Sequence, residues 1–370
     1  MDNVTHSLFA ATLARTPLAR LGRGTLPALL LSSNAPDIDI LAAVRGGTLT
    51  YLEWHRGLTH GPLGVVALGA AAGGLVWAGR TALDRRRGRV HAPEQDASLS
   101  MLVAVSMIGV VLHILMDLPT SYGTRLLSPF DWHWFAFDWL PIVDVYLLIA
   151  LAAGLVFGEI SRTSRRRLAA IVLTLMAVNY GVRAVAHRQA VTLAPRLFGP
   201  LLPRPCEAPP RSPSGIERWP APASATAPER TCLMEIAAVP TFLSPFRWRV
   251  IARMSTGYEL HDLDVLDARF RAPSTAGDVF WRRAVRYPNQ WTAATFAAAK
   301  TRTASIFLGF ARFPAARTFT DASGATAVRW SDMRFVGGFM SVDAPSPPTM
   351  FNVLVRLDPS GRVAQEQIGR

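Results

Sequence analysis

Between residues 61 and 186 the chain carries four apolar stretches, Gly61–Gly79, Leu99–Leu118, Trp139–Ile160 and Leu168–Ala186. Each approaches the roughly 20 residues that carry a helix across a bilayer. Segments of this kind, placed in series, fold as an all-α polytopic membrane helical bundle. Upstream, Thr5–Leu21 has a moderately apolar helical pattern. Thr25–Leu41 is apolar but interrupted by Asn34, Pro36, Asp37 and Asp39. These two segments read as a helical hairpin packed into the bundle. Met1–Leu21 lacks the basic start of a signal peptide, and His6 and Arg15 interrupt it.

The net charge of +13 raises nucleic acid as a partner, but the placement of the charge points elsewhere. Arginines concentrate in Arg80–Arg89 and at Arg162, Arg165, Arg166 and Arg167, directly between apolar segments. The positive-inside rule puts such blocks in the cytoplasm, and the expected partner is the lipid bilayer with no nucleic acid. That placement orients every other segment. His113 and Asp117 fall near the outer end of their helix, and His55 and His60 lie outside, just before the segment that runs inward. Arg15, Arg20 and Arg23 form an inner turn, which returns His6, Asp37 and Asp39 to the outer level. The loop Pro119–Asp138 lies outside, with Trp132, Trp134 and Trp139 suited to an interfacial belt. One orientation gathers every candidate ligand on one face.

The length of 370 residues suggests about two domains. The expected division is a membrane domain over 1–190, a Pro-rich linker over 191–233 and a small extracytoplasmic α+β soluble domain over 234–370. Strands are expected at Trp248–Met254, Glu259–Phe270, Ser305–Phe313, Ala327–Phe335 and Met350–Leu357, with a helix between Ala276 and Lys300. Cys206 and Cys232 are the two cysteines, and sequence leaves open whether they form one bridge or stay two thiols.

Acidic residues and histidines at the ends of membrane segments are expensive, so a cluster of them is a functional-site hypothesis. His113 and Asp117 are four apart on a helix and share a face, a spacing suited to a metal and equally to a plain hydrogen-bonded pair. Asp37 and Asp39 repel one another unless a cation, donors or a shared proton neutralises them. His60 precedes Pro62, a residue well placed in a first helical turn, and His55 approaches from the preceding loop. The free N–H groups of that helix start suit a phosphate. Arg56 can clamp one or pair with Asp37, Asp39 or Glu53. His6 joins the candidates by its level, with Thr5 as an N-cap. Tyr122 and Asp144 are candidate supporting groups, Asp144 because an idle carboxylate in an apolar segment is costly.

Four ordered motifs then become recognisable: Asp2-Asn3-Val4-Thr5-His6-Ser7, Ser33-Asn34-Ala35-Pro36-Asp37-Ile38-Asp39, His55-Arg56-Gly57-Leu58-Thr59-His60, and His113 with Asp117 and Ser121-Tyr122-Gly123-Thr124. Over about residues 1–150 the chain resembles the YdjM/YbcI-type inner-membrane proteins, described as membrane-bound metal-dependent hydrolases. Pro245-Phe246-Arg247-Trp248-Arg249 is similar to the C-terminal extension of a long-chain subgroup. The family is in turn related to the all-helical zinc phospholipase C and P1-nuclease group. The resemblance implies that His6, Asp37, His55, His60, His113 and Asp117 bind a divalent metal, zinc first, as one or two ions. The chain departs from that group in having no N-terminal tryptophan ligand and no His-x-x-x-Glu.

The expectation is a multi-pass inner-membrane hydrolase acting on a phosphoester of a lipid or lipid-linked substrate at the outer face. Asp39 would be its general base or a further ligand, and Arg56 would hold the phosphate. The rival is a non-enzymatic membrane protein with a structural metal or polar site and a partner-binding C-terminal domain. A cation transporter ranks last, because it would place carboxylates near mid-bilayer on several helices, and Asp144 alone comes close.

Overall fold

The structure, a computed structural model, describes residues 1–89, 95–160, 164–198, 202–206, 216–219, 231–267, 285–337 and 351–369. The chain divides into two compact units: Met1–Leu41 with Trp54–Val182, and Ala42–Glu53 with Arg183–Arg370.

The first unit is helical. Helix α1 spans Asn3–Leu13 and α2 spans Thr25–Ser32. A 3-10 turn over Pro17–Leu21 joins them, and a second one over Ala35–Ile40 follows α2. Pro17 and Pro36 stand at the starts of these turns, where a missing N–H does no harm. The expected hairpin is therefore present, in shorter pieces than the hydropathy suggested. Helix α3, Leu41–Trp54, follows in the chain, with Ala42–Glu53 belonging to the second unit, and is broken at Gly47, whose φ of 67° lies in the left-handed region. Then come α4 (Pro62–Arg86), α5 (Leu99–Asp117), α6 (Val145–Ile160) and α7 (Arg165–Phe198). Helices α4, α5 and α7 are long and apolar enough to cross a membrane, and α6 is a shorter apolar helix.

Two spans differ from expectation. The third begins at Val145 rather than Trp139. Pro141 stands in the intervening stretch, and the Asp144 carboxylate accepts the N–H groups of Tyr146 and Leu147, which starts the helix there. The fourth runs on to Phe198. Within the second unit, Ala186, Ala190, Ala194, Leu197 and Phe198 form one apolar stripe on a sheet face, so residues 191–198 are helix and not linker.

Helices α4 and α5 pack closely because α4 presents glycine. A Cβ on Gly69 would come within 2.5 Å of Met107, and one on Gly73 within 2.6 Å of Val103. Small residues let backbones approach in this way where lipid gives no hydrophobic drive. At the far end of α4, arginines make specific contacts. Arg23 pairs with Asp84 and Asp96 at 3.1 Å, and Arg80 donates to the carbonyls of Arg23 and Ala97. Arg162 lies outside the described residues.

The second unit is β-rich. Strands β3 (Leu233–Pro240), β4 (Arg247–Met254), β5 (Gly257–Asp264) and β6 (Val285–Pro288) form one antiparallel sheet in the order β3-β4-β5-β6. Strands β7 (Pro314–Thr320), β8 (Thr326–Asp332), β9 (Asn352–Leu357) and β10 (Val363–Ile368) form another. Period-2 alternation on β4 gives each face of the first sheet its own core. Trp248, Val250 and Ala252 face the end of α7, whereas Ile251 faces Phe313, Ala315 and Met333. Short strand β2 (Glu217–Trp219) and helices α8 (Ala293–Ala299) and α9 (Arg302–Phe310) belong to this unit, while short strand β1 (Trp134–Ala136) and a 3-10 turn at Leu58–His60 belong to the first.

The strand expected at Ser305–Phe313 is mostly α9. Thr301 caps it, and Thr303, Ala304, Phe307 and Phe310 are buried at helical spacing. A short apolar run does not distinguish helix from strand by composition. Residues 268–284, which include parts of an expected strand and helix, lie outside the described residues, as does most of the Pro-rich stretch. Cys206 and Cys232 are joined in a disulfide.

Candidate metal centre

Three pieces of chain meet at the mouth of the first unit. The 3-10 turn after α2 turns Asp37 and Asp39 inward and leaves Ile38 and Ile40 exposed. The loop 55–61 between α3 and α4 carries His55, Arg56 and His60. The last turn of α5 supplies His113 and Asp117. Arg56 adopts a left-handed φ of 55°, a conformation that costs a non-glycine residue energy and persists where its surroundings hold it.

Asp37, His60, His113 and Asp117 bring one ligand atom each into a common space and could hold a metal ion. His60 Nε2 and His113 Nε2 are 3.2 Å apart, and Asp117 Oδ2 is 3.4 Å from both. Asp37 Oδ1 lies 3.6 Å from His113 Nε2 and 3.8 Å from His60 Nε2. Ligands about 2.1 Å from a tetrahedral ion stand about 3.4 Å from one another. The four atoms are thus spaced as ligands of one small cation. A second group, Asp37, Asp39 and His55, shares Asp37 with the first.

The hydrogen bonds around the centre fix which atoms face inward. His113 Nδ1 is 2.7 Å from the Ser33 carbonyl, which only accepts, so Nδ1 carries the proton and Nε2 a lone pair. The Thr59 hydroxyl donates to Asp39 Oδ2 at 3.0 Å and lies 2.9 Å from His60 Nδ1. With its proton given to Asp39, it accepts from His60 Nδ1, and His60 Nε2 is also a lone pair. Asp117 Oδ2, fully buried, has no hydrogen-bond donor among the described residues. Two imidazole lone pairs and a carboxylate oxygen therefore face one another, an arrangement that calls for a cation. The residues present fit a divalent ion.

Asp39 organises the loop. Its Oδ1 accepts from His55 Nδ1 at 2.8 Å, and its Oδ2 accepts from the Arg56 N–H at 2.8 Å and from Thr59. This is the carboxylate–histidine support that orients metal-ligating imidazoles, and it leaves His55 Nε2 free of the proton. Arg56 is buried, and its guanidinium donates to Asp117 Oδ1 at 3.0 Å, Thr120 Oγ1 at 3.2 Å and the Gly123 carbonyl at 3.0 Å. It ties the 55–60 loop to the end of α5. Burial pushes His55 below the ordinary imidazole range and His60 well below it, and raises Asp37 above the usual carboxylate range. The imidazoles are held neutral, the state that ligates.

His6 is fully buried and stacks on the His113 ring at 3.8 Å, with Nε2 3.5 Å from Asp117 Oδ1. The Met1 nitrogen also pairs with Asp117 Oδ1. Thr5 is not the cap: Asp2 is, and it accepts from both the Thr5 N–H and the Thr5 hydroxyl. Tyr122 lies under the Arg56 guanidinium and edge-on to His55. Asp144 caps α6, and its Oδ2 accepts from Asn179 at 3.4 Å, which gives a local reason for a carboxylate in an apolar segment. Trp134 is fully buried against Tyr122 and beneath Arg125, so it is no belt residue, whereas Trp132 is 42% exposed. Sequence reading missed Ser33 and Thr59 as the groups that set the two tautomers. Thr59 had a signal, since it directly precedes His60. Ser33 acts through its carbonyl, which no residue type announces.

The sequence model of the YdjM inner membrane protein family matches residues 1–190. The chain is also 24% identical over 163 residues to the uncharacterized protein YfhP of Bacillus subtilis strain 168, covering 42% of this chain and 45% of that protein. It thus spans less than half the length of that relative. No solved structure matches the chain.

Proposed function

The chain belongs to the YdjM inner membrane protein family, and from its buried centre we propose that it is a membrane-bound metal-dependent hydrolase of phosphoesters, acting on a lipid or lipid-linked substrate. The observation that carries the reading is the convergence of His60 Nε2, His113 Nε2 and Asp117 Oδ2, mutually 3.2–3.4 Å apart, with no proton available to hold them together. Zinc suits two imidazoles and a carboxylate.

Three tight ligands plus one looser one is the pattern of a catalytic site, which keeps a position for water or substrate. Asp37 is the looser ligand, with the longest separations, and it is less buried than the other three. An ion held by His60, His113 and Asp117 would keep its remaining position toward Asp37. A divalent ion there would supply Lewis-acid polarisation of a phosphoryl oxygen and a more acidic bound water. Asp37, the least buried of the four, would hold the ion on the side nearest solvent. Asp39 orients His55 and is a candidate base through it. Arg56 contributes positive charge beside Asp117, and His6 flanks the same carboxylate as a possible ligand of a second ion.

We place the centre and the C-terminal unit on the outer side of the inner membrane. The Cys206–Cys232 disulfide supports this, since such bonds persist in oxidising compartments. The basic ends of α4, at Arg85 and Arg86, and of α7, at Arg165–Arg167, support the opposite side as cytoplasmic.

The test is hydrolysis of bis(4-nitrophenyl) phosphate by protein purified in detergent, with metal content measured on the same sample. Stoichiometric metal, activity lost to a chelator and restored by Zn²⁺, and loss of activity in His113→Ala are expected. Protein without stoichiometric metal, together with unchanged activity in His113→Ala, overturns the reading. One observation favours a non-enzymatic alternative: with Asp37 counted, four protein ligands close the ion off, as in structural zinc sites. Cobalt replacement separates the two, because phosphate perturbs the visible spectrum of an open site and leaves a closed one unchanged.

A further inference from the structure

The rim of the centre is apolar, and its depth relative to the helix ends is fixed. On the 3-10 turn that delivers Asp37 and Asp39 inward, the intervening Ile38 and Ile40 are 52% and 51% exposed. Leu58, between the two loop histidines, is exposed as well. Beside it, the 125–132 loop is held down by Arg125 N–H donating to the Arg56 carbonyl and Ser128 Oγ donating to the Gly57 carbonyl. That loop presents Phe130, 77% exposed, and Trp132, whose ring lies 3.3 Å from where a Cβ on Gly57 would stand. Five large apolar side chains thus flank the side on which Asp37 and His55 are the least buried ligands.

These residues are not part of a span, yet they adjoin two. Helix α4 begins two residues after His60, and its first exposed apolar residue, Leu63, continues the strip from Leu58. Helix α5, with 19 residues, is about 28 Å long, close to the roughly 30 Å of a hydrocarbon core. His113 lies about one turn, roughly 6 Å, before its end at Asp117. With α5 spanning the hydrocarbon core, the ligands would sit where hydrocarbon gives way to headgroups, the depth of an ester phosphate in a bilayer lipid.

We infer that this collar is immersed in the bilayer surface, and that the centre takes its ligand from the membrane plane as an amphiphile whose chain stays among the lipids while its phosphate reaches Asp37 and His55. A soluble phosphoester would need a water-facing, polar rim, and burying apolar collar surface in lipid favours immersion by about 25 cal/mol per Å². The inference rests on the metal-site reading but not on hydrolysis.

Immersion is measured without activity. Single cysteines at Ile38, Ile40, Leu58 and Phe130 are labelled with a nitroxide in the otherwise native chain, whose own cysteines are bridged, and reconstituted in phosphatidylethanolamine/phosphatidylglycerol nanodiscs. Leu63→Cys on α4 and Ser323→Cys in the C-terminal unit serve as lipid and water references. The expected result is a ratio of oxygen to nickel-chelate accessibility at all four collar positions that groups with Leu63, several-fold above Ser323. Ratios grouping with Ser323 overturn the inference. Metal content of the same samples reads the centre separately, so loss of metal with lipid-like ratios counts against the centre and not the collar. Should the labelled variants fail to fold, the fluorescence of Trp132, taken as wild type minus Trp132→Phe, is quenched by lipids brominated near the headgroup if the collar is immersed, and unquenched if it is not.

Discussion

His60 Nε2 and His113 Nε2 face each other across 3.2 Å, each with its other ring nitrogen committed to an oxygen. Neither can donate to the other, so the pair is repulsive unless a cation lies between them. Removing either ring removes one corner of the ligand set. His60→Ala and His113→Ala are expected to abolish stoichiometric metal binding, measured by inductively coupled plasma mass spectrometry on detergent-purified protein. His133→Ala removes an exposed imidazole paired with Asp131 and should leave the metal content at the wild-type level.

Asp39 acts on the centre through His55, Arg56 and Thr59. Asp39→Asn keeps its shape but replaces one accepting oxygen with a donor and removes the charge. Supporting carboxylates of this kind are worth about 10–100-fold in metal affinity. A loss of that size, measured by competition with a chromophoric chelator, is the expected outcome. Complete loss of binding would make Asp39 a ligand in its own right.

Much of this centre was legible in the sequence because chemistry and position coincided. His113 and Asp117 show their common face by a spacing of four, Asp37 directly follows Pro36, and His60 stands two residues before Pro62. The charge rule gave one expected level for all of them. The α6 start was misread because hydropathy registers Trp139 and Leu140 but not the capping geometry of Asp144. The Ser305–Phe313 stretch reads as strand because six of its nine residues are apolar, and only packing shows the helical period of Ala304, Phe307 and Phe310. The role of Arg56 was open between phosphate and carboxylate. Its partner Asp117 is 61 residues away, a distance over which sequence periodicity carries no information.

Arg56 and Asp117 form a buried pair, 3% and 0% exposed in their side chains. Deleting one partner of such a pair costs about 3–5 kcal/mol where a charge is left uncompensated, but the Met1 nitrogen still pairs with Asp117. Arg56→Ala is therefore expected to lose less than that range in chelator-treated protein, and less still in metal-loaded protein, where an ion would neutralise Asp117. Thermal unfolding in detergent with and without chelator measures both. Equal losses in the two states would place the ion away from Asp117.

The disulfide closes a loop with a sequence separation of 26. The chain-entropy account gives about 3–4 kcal/mol for a loop of this length. Cys206→Ser should lower the stability of the C-terminal unit by roughly that amount, seen as earlier protease cleavage within the unit, while metal content stays unchanged. A mobility difference between reduced and non-reduced wild-type protein on a denaturing gel checks that the bond forms in the cell.

Gly61 and Gly74 make a paired test of the loop that delivers His60. A Cβ on Gly61 would lie 2.0 Å from the Ser128 carbonyl oxygen, a backbone atom that cannot swing away. Gly61 is bonded to His60 and is the residue from which α4 departs, so relieving the clash must shift the imidazole or the 125–132 loop. Gly61→Ala is expected to reduce metal affinity and thermal stability together. Gly74 lies on the same helix with nothing within 4 Å of its would-be Cβ. There alanine only restricts the unfolded backbone, and Gly74→Ala should leave metal content unchanged and raise stability by up to about 0.5–1 kcal/mol. If the two substitutions behave alike, the close seating of the loop against Ser128 is not what positions His60.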